Sequence, residues 1–387
     1  MTSLRPFVGI QEAKIKNLCV KGYTPSTNIG LELELEFDVG SEDITDDVDF
    51  DEDAPNHNLN ADQMIGTSFY TDRPEGFNTW WNIGLEHSLR SGLELITKPQ
   101  VLYKEPSWYE TLKSLQRYLA TYDDKILTSI RTSTHIHVSV QDLTVYEVYN
   151  AILNWYIIEE VVVSTCPKER RGNLFCLRAR DASGIFGGIK RRLKTFADTA
   201  RVLPETDYAL DPIDYSYMSN VRHEYKKAYN SLVFNQDDYK YAALNLANIL
   251  YLGTLEFRFM PAFCDTDISK LERYAEICYS AVNKGAKVPV AKTLYVAQNG
   301  TTRDVLELFF NKGVVDFLLT YSEDCSIQRR IEEVEMCQTY LNKALNQTGV
   351  RRNINYWKLR PADLKEVVLQ CDTSSVDVIY PDQERDL

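Results

Sequence analysis

Long apolar runs, paired cysteines and glycine-rich phosphate loops are all missing from this chain of 387 residues. No stretch approaches the ~18 uninterrupted apolar residues of a membrane span, so no membrane partner is expected. The first residues carry no basic start followed by an apolar run, and no signal peptide is expected. Eight cysteines are scattered at 19, 166, 176, 264, 278, 325, 337 and 371 without a C-x-x-C pair, which reads as reduced thiols in a cytoplasmic protein. Neither G-x-x-x-x-G-K-[ST] nor G-x-G-x-x-G occurs, so a bound nucleotide would have to rest on something other than a glycine loop. H-E-x-x-H is absent as well, which removes the helical metalloprotease arrangement. Basic charge is in short supply: the net charge of -13 excludes a broad basic face, and no extended nucleic-acid surface is expected.

What is present is an ordinary globular composition, 44% hydrophobic and 26% charged, in a chain long enough for one elaborated domain or two smaller ones. Tyrosine is abundant at 24 residues, which suits amphipathic packing. Residues 29–37, 92–97, 133–140 and 254–259 read as strands. Helices are predicted at 106–122, 143–163, 267–283, 302–320 and 326–346. Residues 182–200 are mixed and basic. An acidic insert near 41–55 reads as a solvated loop. Asp47, Asp49 and Asp51 fit the start of an EF-hand, but Glu52 stands where that loop needs glycine. Strands before 260 and helices after it predict an α+β fold with a mainly antiparallel sheet.

On a strand, alternate side chains share a face. Glu32, Glu34 and Glu36 therefore lie opposite Leu31, Leu33 and Leu35. Likewise His135, His137 and Ser139 lie opposite Ile136 and Val138. Glu256 and Arg258 lie opposite Leu255, Phe257 and Phe259, and Glu94 stands among apolar neighbours. Each row alone also suits the solvated side of an antiparallel sheet, and Glu36 reads as a charged edge. If the four strands share a sheet, the rows converge into a face of carboxylates, two imidazoles and one guanidinium. That set suits Mg²⁺ or Mn²⁺ and phosphoryl chemistry. Lys190-Arg191-Arg192-Leu193-Lys194 reads as a solvated helix face, or else as a clamp over phosphate.

The order of motifs resembles the amidoligases, a branch of the glutamine synthetase and glutamate–cysteine ligase superfamily of carboxylate–amine ligases. The matching pieces are Gly30-Leu31-Glu32-Leu33-Glu34, Glu86-His87-Ser88 leading to Gly92-Leu93-Glu94, and His135-Ile136-His137. Further on come Arg170-Arg171-Gly172-Asn173-Leu174-Phe175-Cys176, Lys240-Tyr241-Ala242-Ala243-Leu244-Asn245 and Leu255-Glu256-Phe257-Arg258. They span about residues 28–264.

The resemblance implies a glutamine synthetase-like antiparallel sheet with helices on one face. It implies a catalytic domain over 1–264 and a helical region over 265–387 packed on it, with a polar tail from about 373. It implies ATP with Mg²⁺ or Mn²⁺, and small-molecule or peptide carboxylate and amine substrates joined through an acyl phosphate. Metal ligands would be Glu32, Glu34, Glu94, His135 and Glu256. Nucleotide contacts would be His137, Ser139, Lys240, Asn245 and Arg258, with Tyr241 lining the site near the nucleotide. Arg258, Glu256 and Arg171 would be catalytic. Departures from the family pattern are Glu86 for aspartate, Thr97-Lys98 for serine-proline, Thr134 for a small residue and Lys240 for arginine. Two rival functions share these residues: a non-catalytic interaction or virion-associated protein, and a metal-dependent hydrolase.

Overall fold

The computed structural model describes residues 28–37, 73–85, 89, 92–98, 101–122, 125–127, 131–140, 143, 145–171, 176–179, 184–199, 234, 239–263, 268–321 and 331–345. The acidic insert, the Glu86-His87-Ser88 motif and the polar tail lie outside them. Among the described residues seven strands build one sheet: β1 (Ile29–Phe37), β2 (Trp81–Leu85), β3 (Gly92–Thr97), β4 (Ile126–Leu127), β5 (Ser133–Ser139), β6 (Leu244–Asn245) and β7 (Thr254–Pro261). Their order is β2-β3-β1-β5-β7-β6, and β4 pairs the end of β1 beyond β5. Every strand pair is antiparallel. The α+β expectation with an antiparallel sheet is met.

The apolar face follows from strict alternation. Leu31, Leu33, Leu35, Leu93, Leu95, Ile136, Val138, Leu255 and Phe257 are all buried in one core. Onto it pack α1 (Pro106–Tyr122) and α2 (Val145–Val163). Helix α1 buries Trp108, Leu112, Leu115, Tyr118 and Leu119 at helical spacing, and Trp81 on β2 donates its indole N–H to Thr111 O and Ser114 Oγ. Helix α2 is buried almost all round, as its near-continuous apolar sequence dictates. Its Trp155 packs against Phe257 and Phe259 of β7, with centroids 4.8 and 5.6 Å away.

The remaining long helices among the described residues are α3 (Gly184–Thr199), α4 (Ser269–Asn283), α5 (Val290–Asn299), α6 (Thr302–Glu307), α7 (Lys312–Thr320) and α8 (Ile331–Leu345), beside single helical turns at Phe77–Trp80 and Asn248–Tyr251. Helices α4, α5, α7 and α8 touch α2, and α8 also packs along α3. Two helical expectations change. The 302–320 span is two helices, because the Asn311 side chain accepts from Val314 N and caps a fresh start. Helix α5 was not anticipated at all. No helix of the described residues is long and apolar enough to cross a membrane.

Candidate metal and phosphate site

The register of the sheet brings the polar rows together. Residues directly opposite on neighbouring strands share a face. Glu34 pairs with Glu94, Glu32 with His135, and Gly30 with His137; His137 in turn pairs with Glu256, and Glu256 with Asn245. A Cβ at Gly30 would stand 3.3 Å from His137 Cβ, so glycine there leaves the imidazole its place. Between Thr134 and Ile136 the pairing with β7 slips: Ile136 faces Phe257, but Thr134 faces Met260. Arg258 and Phe259 therefore stand opposite His135 alone. Such a bulge re-aims the side chains beside it, and here it also lets Phe259 and Met260 both enter the core.

The polar face is not a solvated surface. Glu34, His135, His137, Asn245 and Glu256 are all buried, Glu256 to 1% exposure. Glu36 is buried too, against the expectation of a charged edge, because β3 and β4 flank it on both sides. Glu94 lies on an interior strand between β2 and β1. Packed carboxylates with so little solvent repel each other strongly unless positive charge compensates.

Glu32 reaches both imidazoles with different oxygens. Its Oε2 lies 3.2 Å from His135 Nδ1, and its Oε1 lies 3.1 Å from His137 Nε2. Glu256 Oε1 lies 3.4 Å from His135 Nδ1 and 2.5 Å from Arg258 Nη1. Its other oxygen accepts from the Asn245 amide at 2.7 Å and from the Asn248 amide at 2.5 Å. Ser133 Oγ donates to Glu34 Oε2 and lies 2.7 Å from His135 Nε2. Thr254 Oγ1 lies 3.0 Å from His137 Nδ1.

The electrostatics follow from these contacts. Burial pushes the Glu32 carboxyl up, but the neighbouring His137 and His135 outweigh it and hold it well below the usual carboxylate range. Glu256 is likewise lowered, against its burial, by His137, Arg258 and His135. Burial pulls His137 down, yet Glu32 and Glu256 raise it to about 9. Burial also opposes the charge on Arg258, which Glu256 and Glu34 lift above its ordinary value.

Two trios, Glu32–Glu94–His135 and Glu32–His137–Glu256, each bring three ligand atoms within 4.8 Å of one another. Both use Glu32. His137 Nε2 is buried without a hydrogen bond, turned toward carboxylate oxygens. Oxygen donors with imidazole and no thiol fit a hard divalent cation such as Mg²⁺ or Mn²⁺.

The other expected residues are placed unevenly. Asn245 and Arg258 stand in the cluster, and Ser139 is buried opposite Thr254 on the same face. Lys240 is exposed with its ammonium 5.5 Å above the Tyr241 ring. Arg171 ends a 3₁₀ turn, Lys168–Arg170, and its Nε donates to Cys166 O at 2.8 Å; among the described residues no bond ties it to the carboxylates. Its neighbour Arg170 is the one that reaches β7, donating to Arg258 O at 3.0 Å. The basic run 190–194 lies on α3, where Lys190 reaches Met336 of α8 and Arg191 and Lys194 face solvent. Ser133, Thr254 and Asn248 were missed. Ser133 carried a signal, since it continues the alternation of His135 and His137; Asn248 carried none.

The family model described as "Putative amidoligase enzyme" matches residues 44–282, more than half of the chain. The match contains β2 to β7 and ends within α4, while β1 precedes it and is joined to it by pairing with β3 and β5. No curated protein matches the sequence.

Proposed function

The chain belongs to the amidoligase family, and from that premise we propose that it is an ATP- and Mg²⁺-dependent carboxylate–amine ligase whose nucleotide phosphates lie on the polar face of the sheet. The observation that carries this reading is the sharing of Glu32 by two ligand trios, one of which includes the carboxylate that grips Arg258. Bound divalent cations would neutralise and orient the phosphate oxygens. The chain's own residues supply the rest. Glu32, Glu94, His135, His137 and Glu256 would be the ligands, with Glu34 and Ser133 supporting His135. Asn245 and Asn248 fix one oxygen of Glu256 and leave the other toward the imidazoles and Arg258. Arg258, held charged, balances negative charge that builds on the transferring phosphoryl group. Arg170 anchors the backbone of that arginine.

The reaction in this reading has two steps. A substrate carboxylate oxygen attacks the γ-phosphorus while the bond to the ADP oxygen breaks. An amine nitrogen then attacks the acyl carbon, phosphate departs with the carboxylate oxygen, and the nitrogen's proton passes to solvent. Lys240 beside the exposed Tyr241 ring and Arg171 are assigned to nucleotide and substrate binding on the resemblance alone.

The test is to incubate the protein with Mg²⁺, ATP and a mixture of amino acids and amines. ADP and phosphate release that depends on both a carboxylate and an amine supports the ligase, and Glu32→Gln abolishes it. Turnover of an amide or ester without ATP would replace this reading with the hydrolase that the same ligands could serve.

A further inference from the structure

The polar face runs on past the ligands to the edge strand β2. In one row Glu32 stands opposite Ile96, and Ile96 opposite Asn82; in the next, Glu34 stands opposite Glu94, and Glu94 opposite Gly84. The other alternation on these two strands, Trp81, Ile83, Leu93 and Leu95, turns to the core. Ile96 is the odd member of the polar face. It is a half-buried apolar side chain between a carboxylate and an amide, and it belongs neither to the buried core nor to the apolar side chains packed on it. Asn82 is half-buried, and among the described residues no hydrogen bond occupies its amide. Gly84 leaves room above the sheet, since a Cβ there would meet nothing nearer than Glu94 O at 4.0 Å. Lys98, the next residue of this alternation, gives its ammonium to Asn78 O. Beyond Glu94 the face therefore offers an apolar step, a gap and an amide.

We propose that Ile96, Gly84 and Asn82 floor the pocket for the carboxylate substrate, and that this substrate is an aliphatic acid with a neutral hydrogen-bonding group at its far end. The proposal rests on the ligase reading of this face and adds the class of acid it takes. In phosphoryl transfer the attacking and leaving oxygens lie roughly in line, on opposite sides of the phosphorus. Arg258 and Asn245 stand on β7 and β6, on one side of Glu32. An acid attacking from the other side lies over β3 and β2. Its carbon chain then covers Ile96, which gains from shedding water, and crosses the gap at Gly84. Asn82 is two strand spacings, about 10 Å, from Glu32, and its amide can both donate to and accept from a neutral group. A second carboxylate on the acid would meet no free cation among the described residues of β2 and β3, and would face Glu94.

The test uses the full chain with ATP, Mg²⁺ and hydroxylamine as the amine, and follows ADP and hydroxamate over acetate, caproate, adipate and N-acetyl-ε-aminocaproate. The wild type should show its lowest KM for N-acetyl-ε-aminocaproate and a high one for adipate. Ile96→Ala should raise KM about 10-fold for caproate and for the acetylated acid, with kcat held within about threefold. Ile96→Val keeps most of the contact and should stay within about threefold of wild type. Asn82→Leu should raise KM for the acetylated acid and not for caproate. Gly84→Val should raise it for both long acids and not for acetate. Mn²⁺ and ATP affinities should match wild type in every variant, which shows that fold and ligand set survive. Unchanged KM values in Ile96→Ala, Asn82→Leu and Gly84→Val overturn the floor and leave the ligase reading standing. So do losses that fall equally on acetate and on ATP, or a preference for adipate. If the wild type binds Mg²⁺ and ATP but forms hydroxamate from none of these acids, the substrate class is wrong and the proposal falls alone. If it binds no ATP with Mg²⁺, the ligase reading fails and takes the proposal with it.

Discussion

Glu32 and His137 meet on a diagonal of the sheet: Glu32 pairs with His135 and His137 with Gly30, yet Glu32 Oε1 lies 3.1 Å from His137 Nε2. That contact makes His137 a stored positive charge in the metal-free protein, raised from 6.5 to about 9 against its own burial. A raised imidazole contributes stability that is complete below 6.5 and is lost as pH climbs through about 9. Glu32 and Glu256 work in the other direction: lowered carboxyls contribute above 4.5, and that part is lost as pH falls below it. Urea unfolding in EDTA should therefore show a stability maximum between these limits. A loss on the order of 1–3 kcal/mol is expected on the alkaline side. His137→Gln should flatten the alkaline limb, and an unchanged limb would count against the ion pair.

Metal binding should show the mirror image. A cation can use His137 Nε2 only after its proton leaves, so Mn²⁺ affinity should rise with pH up to about 9. Calorimetry in buffers of different ionisation enthalpy should detect proton release on binding. Affinity that does not change with pH would place the cation away from His137.

Arg258 is tied to Glu256 at 2.5 Å, and its carbonyl is held by Arg170. Lysine keeps the charge there but loses the planar fork. Arg258→Lys should therefore keep Mn²⁺ affinity within about threefold while weakening ATP binding about 10-fold or more. Equal losses for metal and nucleotide would mean that Arg258 only supports the ligand set.

Far from the site, Gly285 closes the approach of the end of α4 to α2. A Cβ there would stand 2.0 Å from Ala281 O and 3.4 Å from Ala151 Cα, and Asn154 donates to Gly285 O at 2.9 Å. Gly285→Ala should cost about 1–3 kcal/mol in denaturant unfolding and leave Mn²⁺ binding unchanged. A neutral substitution would show that α4 and α2 can part without loss.

The strands of this site were legible because alternation is a local signal. Glu32, His135 and Glu256 each oppose an apolar row that can be read along a few residues. Which strand neighbours which was not legible, since the pairing of β1 with β3 and β5 depends on contacts distant in sequence. Glu36 was misplaced for that reason: it is flanked by β3 on one side and on the other by β4, a two-residue strand with no pattern to read. Asn248 was invisible because its role arises from a one-turn helix, Asn248–Tyr251, that returns it to Glu256. The break at Asn311 was legible in principle, as a capping residue inside an apolar periodic run. The helix after Pro289 was hidden by its mixed composition.

The most direct measurement of the central claim is a Mn²⁺ titration followed by electron paramagnetic resonance on wild type, Glu94→Gln and Glu32→Gln. The two trios predict two bound ions in the wild type, one after loss of Glu94, and none after loss of the shared Glu32. No binding by the wild type, or full binding by Glu32→Gln, would contradict the account.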